Sequence, residues 1–198
     1  MILYSTPTSP FGRKVKVAAM AHGLMDRIRI EKADPWSADD MLRKVNPIGK
    51  MPVLVTDKGL AVYDSGVILD FLDTLLEQPR LFPRHNAIET RVLHALGNGL
   101  IEAGILITYE RQRRPGEFCY EPWVSHQHGK ISRGLGVVAQ SPPNPGVVNA
   151  ASITIACALG YFDWRKQIDW RQEFPALIPW LDVFRSGCPA FDATQAQH

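Results

Sequence analysis

The stretch that decides the fold of the first half of the chain is SPFGRKV, residues 9–15. It follows the short apolar run ILY at residues 2–4 and a turn-rich cluster, so a strand and then a helix are predicted. Ser9 is a good N-cap, and Pro10 falls at the first helical position, where its missing N–H has no partner to lose. Helical spacing predicts a buried face made of Phe11, Val15, Ala18, Ala19 and His22. The cations predicted to lie elsewhere on this helix are Arg13, Lys14 and Lys16.

Outward from that helix, the predicted order of elements is strand, helix, strand, helix, hairpin, helix. Residues 27–31 alternate as a strand does, and a short helix opens at residues 37–40 and carries residues 41–45. Two strand-like runs, residues 53–55 and 60–63, are joined by a turn cluster, which predicts a hairpin. Asp64-Ser65 then caps an apolar helix. This order predicts a compact α/β unit over residues 1–77.

The pattern changes after a Pro-containing linker at residues 78–86. Beyond it the sequence shows long helical periodicities and no convincing strand. Helices are predicted over residues 87–113, 121–138 and 149–165, with a short one after Pro175. An all-helical domain is therefore predicted over residues 87–198.

Composition excludes several classes of function. The chain has 198 residues and a net charge of only +2, which gives no electrostatic case for nucleic acid or anionic lipid. Cys119, Cys157 and Cys188 are odd in number and far apart, so a reducing cytoplasm is expected, without disulfides or a zinc site. The six histidines lack metal-ligand spacing, so no metal is expected. The apolar run at residues 153–162 is too short to cross a bilayer, so no membrane partner is expected.

Four segments in order give the chain a resemblance to a known family. They are residues 9–15, 46–54, 63–68 and 156–163. With them the chain resembles small bacterial glutathione S-transferases over nearly its whole length. The resemblance implies an α/β thioredoxin-like N-terminal domain plus an all-α C-terminal domain that forms a second-substrate pocket. It also implies glutathione as co-substrate without another cofactor, a small hydrophobic electrophile, a detoxification role and a homodimer.

Ser9 is the catalytic candidate that the resemblance implies. Its hydroxyl would donate a hydrogen bond to the glutathione thiolate at a helix N-terminus, where backbone N–H groups favour an anion. That would lower the pKa of a thiol from about 8.5. The competing interpretation is an ordinary N-cap, and the nearby hydroxyls of Thr8 and Ser5 are alternatives. Tyr4 is a weaker alternative, since family members that use tyrosine lack this Ser-Pro-Phe pattern.

The resemblance implies further glutathione-binding residues, which are Phe11, Lys50, Met51, Pro52, Asp64 and Ser65. A cis Met51–Pro52 bond would present the backbone of Met51 to glutathione, although a plain trans proline at a strand entry remains open. Asp64-Ser65 would bind the γ-glutamyl end at a helix N-terminus, a role compatible with ordinary capping. Lys50 or Arg13 would neutralise a carboxylate, unless they are solvated surface cations.

Second-substrate candidates come from the loop tryptophan and the first long helix: Trp36, Leu106, Tyr109 and Arg113. Leu106, Tyr109 and Arg113 share one face of that helix with Glu102, and an interdomain face is the alternative role of that face. Trp36 could line the cleft, and packing on its own domain as an exposed loop residue is the alternative. Gly97, Gly99 and Gly104 would let the same helix approach a second copy closely.

The helix predicted over residues 149–165 departs from the N-terminal cap pattern of the family. It opens with Asn149 and Ser152, and serine is a weaker return partner than the family's aspartate.

Two classes of function remain open. The first is a transferase, with peroxidase or dehalogenation side activities. The second is a non-catalytic binding or regulatory protein on the same fold, like the transferase-like bacterial proteins that partner RNA polymerase. A glutathione pull-down with a turnover assay separates them.

Overall fold

The computed structural model describes residues 1–37 and 41–196. Its N-terminal elements follow the predicted order and are β1 (Ile2–Ser5), α1 (Pro10–Ala21), β2 (Arg29–Lys32), α2 (Leu42–Val45), β3 (Val53–Val55), β4 (Ala61–Val62) and α3 (Ser65–Asp73). The predicted opening of the second helix at residues 37–40 lies largely outside the described residues, and α2 itself begins at Leu42.

The four strands form one mixed sheet in the order β2-β1-β3-β4. β1 pairs in parallel with β2, with Ile2 opposite Arg29, and antiparallel with β3, with Leu3 opposite Leu54. Leu3 and Leu54 are fully buried together with Val15 of α1 and Leu72 of α3. The sheet and these two helices therefore share one apolar core, as predicted for an α/β unit.

The rest of the described chain is helical. Its helices are α4 (Ala87–Arg113), α5 (Glu121–Gln140), α6 (Ala150–Arg165), α7 (Trp170–Glu173), α8 (Leu177–Gly187) and α9 (Pro189–Ala193). Short 3-10 turns occur at Met25–Arg27, Arg84–Asn86 and Gly116–Phe118. The three long helices match the prediction closely, whereas α7 and α9 were not predicted because each spans only one turn or slightly more.

Two of the three glycines of α4 have a role that was not expected from the sequence. A Cβ on Gly97 would lie 2.8 Å from Thr154 Cγ2, and a Cβ on Gly104 would lie 2.9 Å from Phe162 Cε1. Both glycines thus allow α4 to approach α6 within the chain. Only Gly99 of the three faces open space.

The cap of α6 is complete despite its unusual sequence. Asn149 Oδ1 accepts hydrogen bonds from the N–H groups of Ala151 and Ser152, both at 3.0 Å. Ser152 Oγ accepts one from the N–H of Asn149 at 3.0 Å and donates to the carbonyl of Val147 at 2.6 Å. Serine therefore serves as the return partner of a full capping box.

Two cations of α1 are buried, contrary to the prediction that they lie off the buried face. Lys14 is fully buried and Arg13 nearly so, because α1 packs against α3 on one side and against α6 and α9 on another. Arg13 Nη2 donates to the carbonyl of Phe191 at 2.8 Å, and the guanidinium lies 4.0 Å from the centre of that ring. Arg13 is thus bonded inside the fold and is not a solvated surface cation.

Among the described residues, one helical segment is long and apolar enough to cross a membrane by length and composition alone. It is Arg84–Arg113, with a window of mean hydropathy 1.3, and 44% of that window is buried inside the fold. That burial is against α5 and α6, which is how a core helix of this length behaves.

Candidate active site

An open cleft of about 400 Å³ lies between the loops of the sheet domain and the helices α4 and α6. One wall comes from the turn before α1, the segment after β2 and the residues before β3. The other wall comes from the C-terminal halves of α4 and α6. Predicted site residues that line it are Ser9, Phe11, Trp36, Lys50, Met51, Leu106, Tyr109 and Arg113. Pro52, Asp64 and Ser65 are not among its lining residues.

Ser9 caps α1 and faces the cleft at the same time. Its backbone is extended, and its Oγ accepts a hydrogen bond from the N–H of Gly12 at 3.0 Å. A hydroxyl that accepts one bond still holds its own proton. No acceptor for that proton is found among the described residues. Capping and donation to an anion in the cleft are therefore compatible roles for one side chain.

The alternative hydroxyls differ in access. Thr8 is exposed and lines the cleft, bonded through Oγ1 to Thr6 Oγ1 at 3.2 Å. Ser5 is buried, and Tyr4 packs on a small core cluster; neither residue lines the cleft. Ser5 and Tyr4 are accordingly poor substitutes for Ser9. Thr6, which sequence reasoning missed, is a further cleft hydroxyl.

The Met51–Pro52 peptide bond is cis, as predicted from the resemblance. Asn46, which is buried, donates from Nδ2 to the carbonyl of Lys50 at 2.8 Å and so fixes the loop before it. Gly49 has a φ of +61°, a conformation that favours glycine. This loop brings Lys50 and Met51 to the cleft, while Pro52 lies buried behind them. Asn46 lies at the start of the motif at residues 46–54, and its positioning role was not predicted from the sequence.

The first turn of α3 forms a second anion-favouring position. Asp64 Oδ1 accepts from the N–H groups of Gly66 at 2.9 Å and Val67 at 3.4 Å, so Asp64 is the cap. Ser65 is buried, and its hydroxyl has no protein partner within the described ranges. The bond between Tyr63 and Asp64 is also cis.

A buried polar cluster lies between α1 and α4. Lys14 Nζ is 2.6 Å from Asn98 Oδ1 and 3.0 Å from His94 Nε2. Burial lowers the pKa of Lys14 to about 7, although Asp64 opposes that shift. Burial and the neighbouring Lys14 lower the pKa of His94 to about 4. A Cβ on Gly66 would lie 3.2 Å from His94 Cε1, so this cluster sits directly behind the first turn of α3.

The second-substrate candidates come together at one end of the cleft. Trp36 meets Tyr109 edge to face, with ring centres 5.3 Å apart. The guanidinium of Arg113 lies 4.5 Å from the centre of the Trp36 ring. The tryptophan thus joins the sheet domain to α4 across the cleft, and Leu106 lies on the same wall.

Sequence reasoning missed the contribution of α6 to this wall. Tyr161 and Arg165 both line the cleft. Thr108 Oγ1 lies 2.8 Å from the hydroxyl of Tyr161 and accepts a bond from Gln167 Nε2 at 2.7 Å. Burial raises the pKa of Tyr161. Tyr161 lies within the apolar motif at residues 156–163, where nothing in the local sequence distinguishes a cleft residue from a core residue.

None of the three cysteines lines this cleft, and thiol–disulfide exchange is not supported by their surroundings. Cys157 is fully buried, and burial raises the pKa of its thiol to about 11. Burial also raises the pKa of Cys188 and of the partly exposed Cys119. Within residues 1–37 and 41–196, no group of three or more histidine, cysteine or acidic side chains is placed to hold a metal ion.

Comparison with known proteins connects this geometry to one family. A family model for the N-terminal domain of glutathione S-transferase matches residues 8–75. The Escherichia coli (strain K12) uncharacterized GST-like protein YibF is 32% identical over 185 residues, which cover 90% of this chain and 90% of that protein.

Solved structures resemble the whole chain as well. A glutathione transferase family member from Pseudomonas fluorescens Pf-5 with bound glutathione has a TM-score of 0.92 and 35% identity, covering 100% of this chain and 99% of that one. A family member from the same strain, with bound S-(propanoic acid)-glutathione, has a TM-score of 0.88 and 35% identity, with 100% of both chains covered.

Proposed function

The chain belongs to the glutathione S-transferase family, and we propose that it is an enzyme that adds the thiolate of glutathione to small hydrophobic electrophiles. The observation that carries the proposal is Ser9, which presents an unused hydroxyl proton to a cleft of about 400 Å³ at the N-terminus of α1. A thiol placed there would meet this donor and the free N–H groups of the helix.

In the proposed mechanism, Ser9 stabilises the thiolate without losing its own proton. The hydroxyl donates to the sulfur, and the helix N-terminus favours the negative charge, so the pKa of the bound thiol falls from about 8.5. The thiolate then attacks the electrophilic carbon as the nucleophile. With an aryl chloride, the S–C bond forms, the C–Cl bond breaks, and chloride leaves with the bonding pair.

The remaining glutathione contacts are divided between the cleft and α3. The backbone of Met51, presented by the cis bond that follows it, pairs with the cysteinyl part of glutathione. The first turn of α3 receives the γ-glutamyl carboxylate through Ser65, with Asp64 near the ammonium group. Phe11 and Lys50 complete the site on the same wall. Conjugates fit this scheme, since a 35% identical relative was solved with bound S-(propanoic acid)-glutathione.

The proposal also includes a cytoplasmic homodimer that uses no cofactor besides glutathione. One face of α4 leaves apolar or small residues exposed at helical spacing, namely Ile88, Val92, Ala95 and Gly99. Val67 of α3 is half exposed, and the ion pair between Arg91 and Asp70 at 2.7 Å fixes α3 against α4.

Sedimentation at micromolar concentration should give a dimer, and Val92→Arg should shift it towards monomer. Val137→Arg, at an exposed position of α5, is the matched control.

Retention on immobilised glutathione, followed by turnover of 1-chloro-2,4-dinitrobenzene, tests the enzymatic function. We expect both binding and glutathione-dependent formation of the aryl thioether above the uncatalysed rate. Binding without turnover of any electrophile would instead support the non-catalytic class of family members.

A further inference from the structure

Two arginines line the cleft at one end. Arg113 is the last residue of α4, and Arg165 is the last residue of α6. Arg165 Nη1 donates to Gln112 Oε1 at 3.3 Å, and Gln112 directly precedes Arg113. The two guanidinium groups, which both line the cleft, therefore belong to the same end of it.

Neither guanidinium forms an ion pair within the described part of the chain. Arg91, Arg114, Arg171 and Arg185 each pair with a carboxylate at 2.7 to 3.0 Å. Arg113 instead stacks on Trp36, and Arg165 has a buried Nε without a hydrogen-bond partner. Two uncompensated like charges in a partly apolar cleft attract an anion.

Two acidic residues, Glu102 and Asp34, also line the cleft. Glu102 precedes Arg113 by eleven residues on α4, which places it about 16 Å away along the helix axis. Asp34 accepts a hydrogen bond from the N–H of Trp36 at 2.9 Å, on the wall formed by the sheet domain. Neither carboxylate forms an ion pair with Arg113 or Arg165.

The surfaces next to the arginines are aromatic. Tyr109 and Trp36 meet at 5.3 Å, and the Tyr161 ring lies 5.8 Å from the guanidinium of Arg165. Such rings favour a flat, conjugated body, while the guanidinium fork suits a carboxylate.

We infer that this cleft selects electrophiles that have a flat, conjugated body and a carboxylate remote from the reactive carbon, with Arg165 and Arg113 binding the carboxylate. The inference rests on the proposed function, because glutathione must supply the thiolate. In attack on an aryl halide of this class, the S–C bond forms and the C–halogen bond breaks. The halide leaves with the bonding pair, the thiol proton goes to water, and the carboxylate is unchanged.

Two other roles make different predictions. A cation at a helix C-terminus offsets the partial negative charge of the last carbonyls, which is a role in stability alone. Alternatively, the arginines hold a carboxylate of glutathione itself, although Lys32 and Lys50 already line the opposite wall.

Titration calorimetry with three ligands distinguishes these roles: glutathione, S-(4-nitrobenzyl)glutathione and S-(4-carboxybenzyl)glutathione. The two conjugates have nearly the same shape and differ by one charge. We expect the carboxylate to improve affinity by at least about tenfold, as for a hydrogen bond to a charged group. Arg165→Gln should abolish that preference, Arg113→Gln should reduce it, and both should leave glutathione affinity within about twofold.

Two further variants check the interpretation. Arg165→Lys should retain part of the preference, because it keeps the charge and loses only the fork. Arg111→Gln removes an equal charge from the same helix, but Arg111 does not line the cleft and lies 3.6 Å from Glu121, so it should change nothing.

The outcomes separate the two proposals. Equal affinity for the two conjugates in the wild-type protein would overturn the inference and leave the proposed function standing. Weaker binding of glutathione itself in both arginine variants would assign the arginines to the tripeptide and also overturn it. Failure of all three ligands to bind the wild-type protein would overturn both proposals.

Discussion

The two walls of the cleft are built by different means. The sheet-domain wall uses backbone and short contiguous segments, such as Ser9 at a helix start and Met51 beside a cis proline. The helical wall uses side chains that lie far apart in sequence, such as Tyr109 and Arg165. The first wall suits a ligand that never changes, and the second can change its chemistry without altering the fold. Under the proposed function, the common chemistry belongs to the sheet-domain wall and substrate choice to the helical wall.

The largest expected effect follows loss of the Ser9 hydroxyl. Ser9→Ala should lower turnover at neutral pH by up to about 10²–10³-fold, the range for loss of one preorganised anion donor, with glutathione affinity nearly intact. Part of the loss should return at higher pH, where thiolate forms without help. The measurement is the pH–rate profile beside wild type. Thr8→Ala, which removes a hydroxyl from the same wall, should have a smaller effect.

A profile for Ser9→Ala that superimposes on wild type would mean that Ser9 only caps α1. The variant should still lose about 1 kcal/mol of stability from the missing cap. A denaturant titration therefore separates the cap from the chemistry.

An intermediate effect is expected at Ser65, which tests whether the sheet-domain wall extends beyond the cleft to α3. Ser65→Ala should weaken glutathione binding by about tenfold or more, through a lost hydrogen bond to a charged group. Turnover at saturating glutathione should change little, because the γ-glutamyl carboxylate is bound alike in ground and transition states. Thr74→Ala, at the other end of α3, is the calorimetric control. Unchanged affinity in Ser65→Ala would confine glutathione to the cleft.

The smallest effect concerns stability, at the cluster where the two halves of the chain meet. The pKa of Lys14 is about 7 in the folded protein, against a model-peptide value of 10.5. The unfolded chain therefore binds more protons between these pH values, and the free energy of unfolding rises with pH there, by at most about 1.4 kcal/mol per unit.

Chemical unfolding at pH 7, 8 and 9 checks this sign. As the pH rises, the free energy of unfolding of wild type should increase relative to that of Lys14→Met. His94, with a pKa of about 4, stays neutral throughout, and Cys157, with a pKa of about 11, stays protonated. Lys44→Met, on the exposed side of α2, is the control. A constant difference between wild type and Lys14→Met would mean that the lysine remains charged when buried.

Much of the sheet-domain wall could be predicted from the sequence, because its signals are local. The cap at Ser9 and the hairpin each depend on neighbouring residues, whereas the cis proline was predicted from the family resemblance. The buried state of Arg13 and Lys14 could not be predicted, because the amphipathic rule assumes one buried face and α1 has two. Tyr161 and Arg165 were missed for a related reason. In an apolar helix buried nearly all round, the sequence does not mark which residues reach a cavity.

Gly12 carries a consequence for how this site can vary. It lies in the first turn of α1, and a Cβ there would overlap Ser5 Oγ of β1. Any larger residue would push the first turn away from the strand and displace Ser9 with it. Positions 5 and 12 should therefore covary among relatives, with a side chain at one compensated by a loss at the other. Position 99, where a Cβ would meet nothing within 4 Å in the single chain, carries no such constraint within the fold.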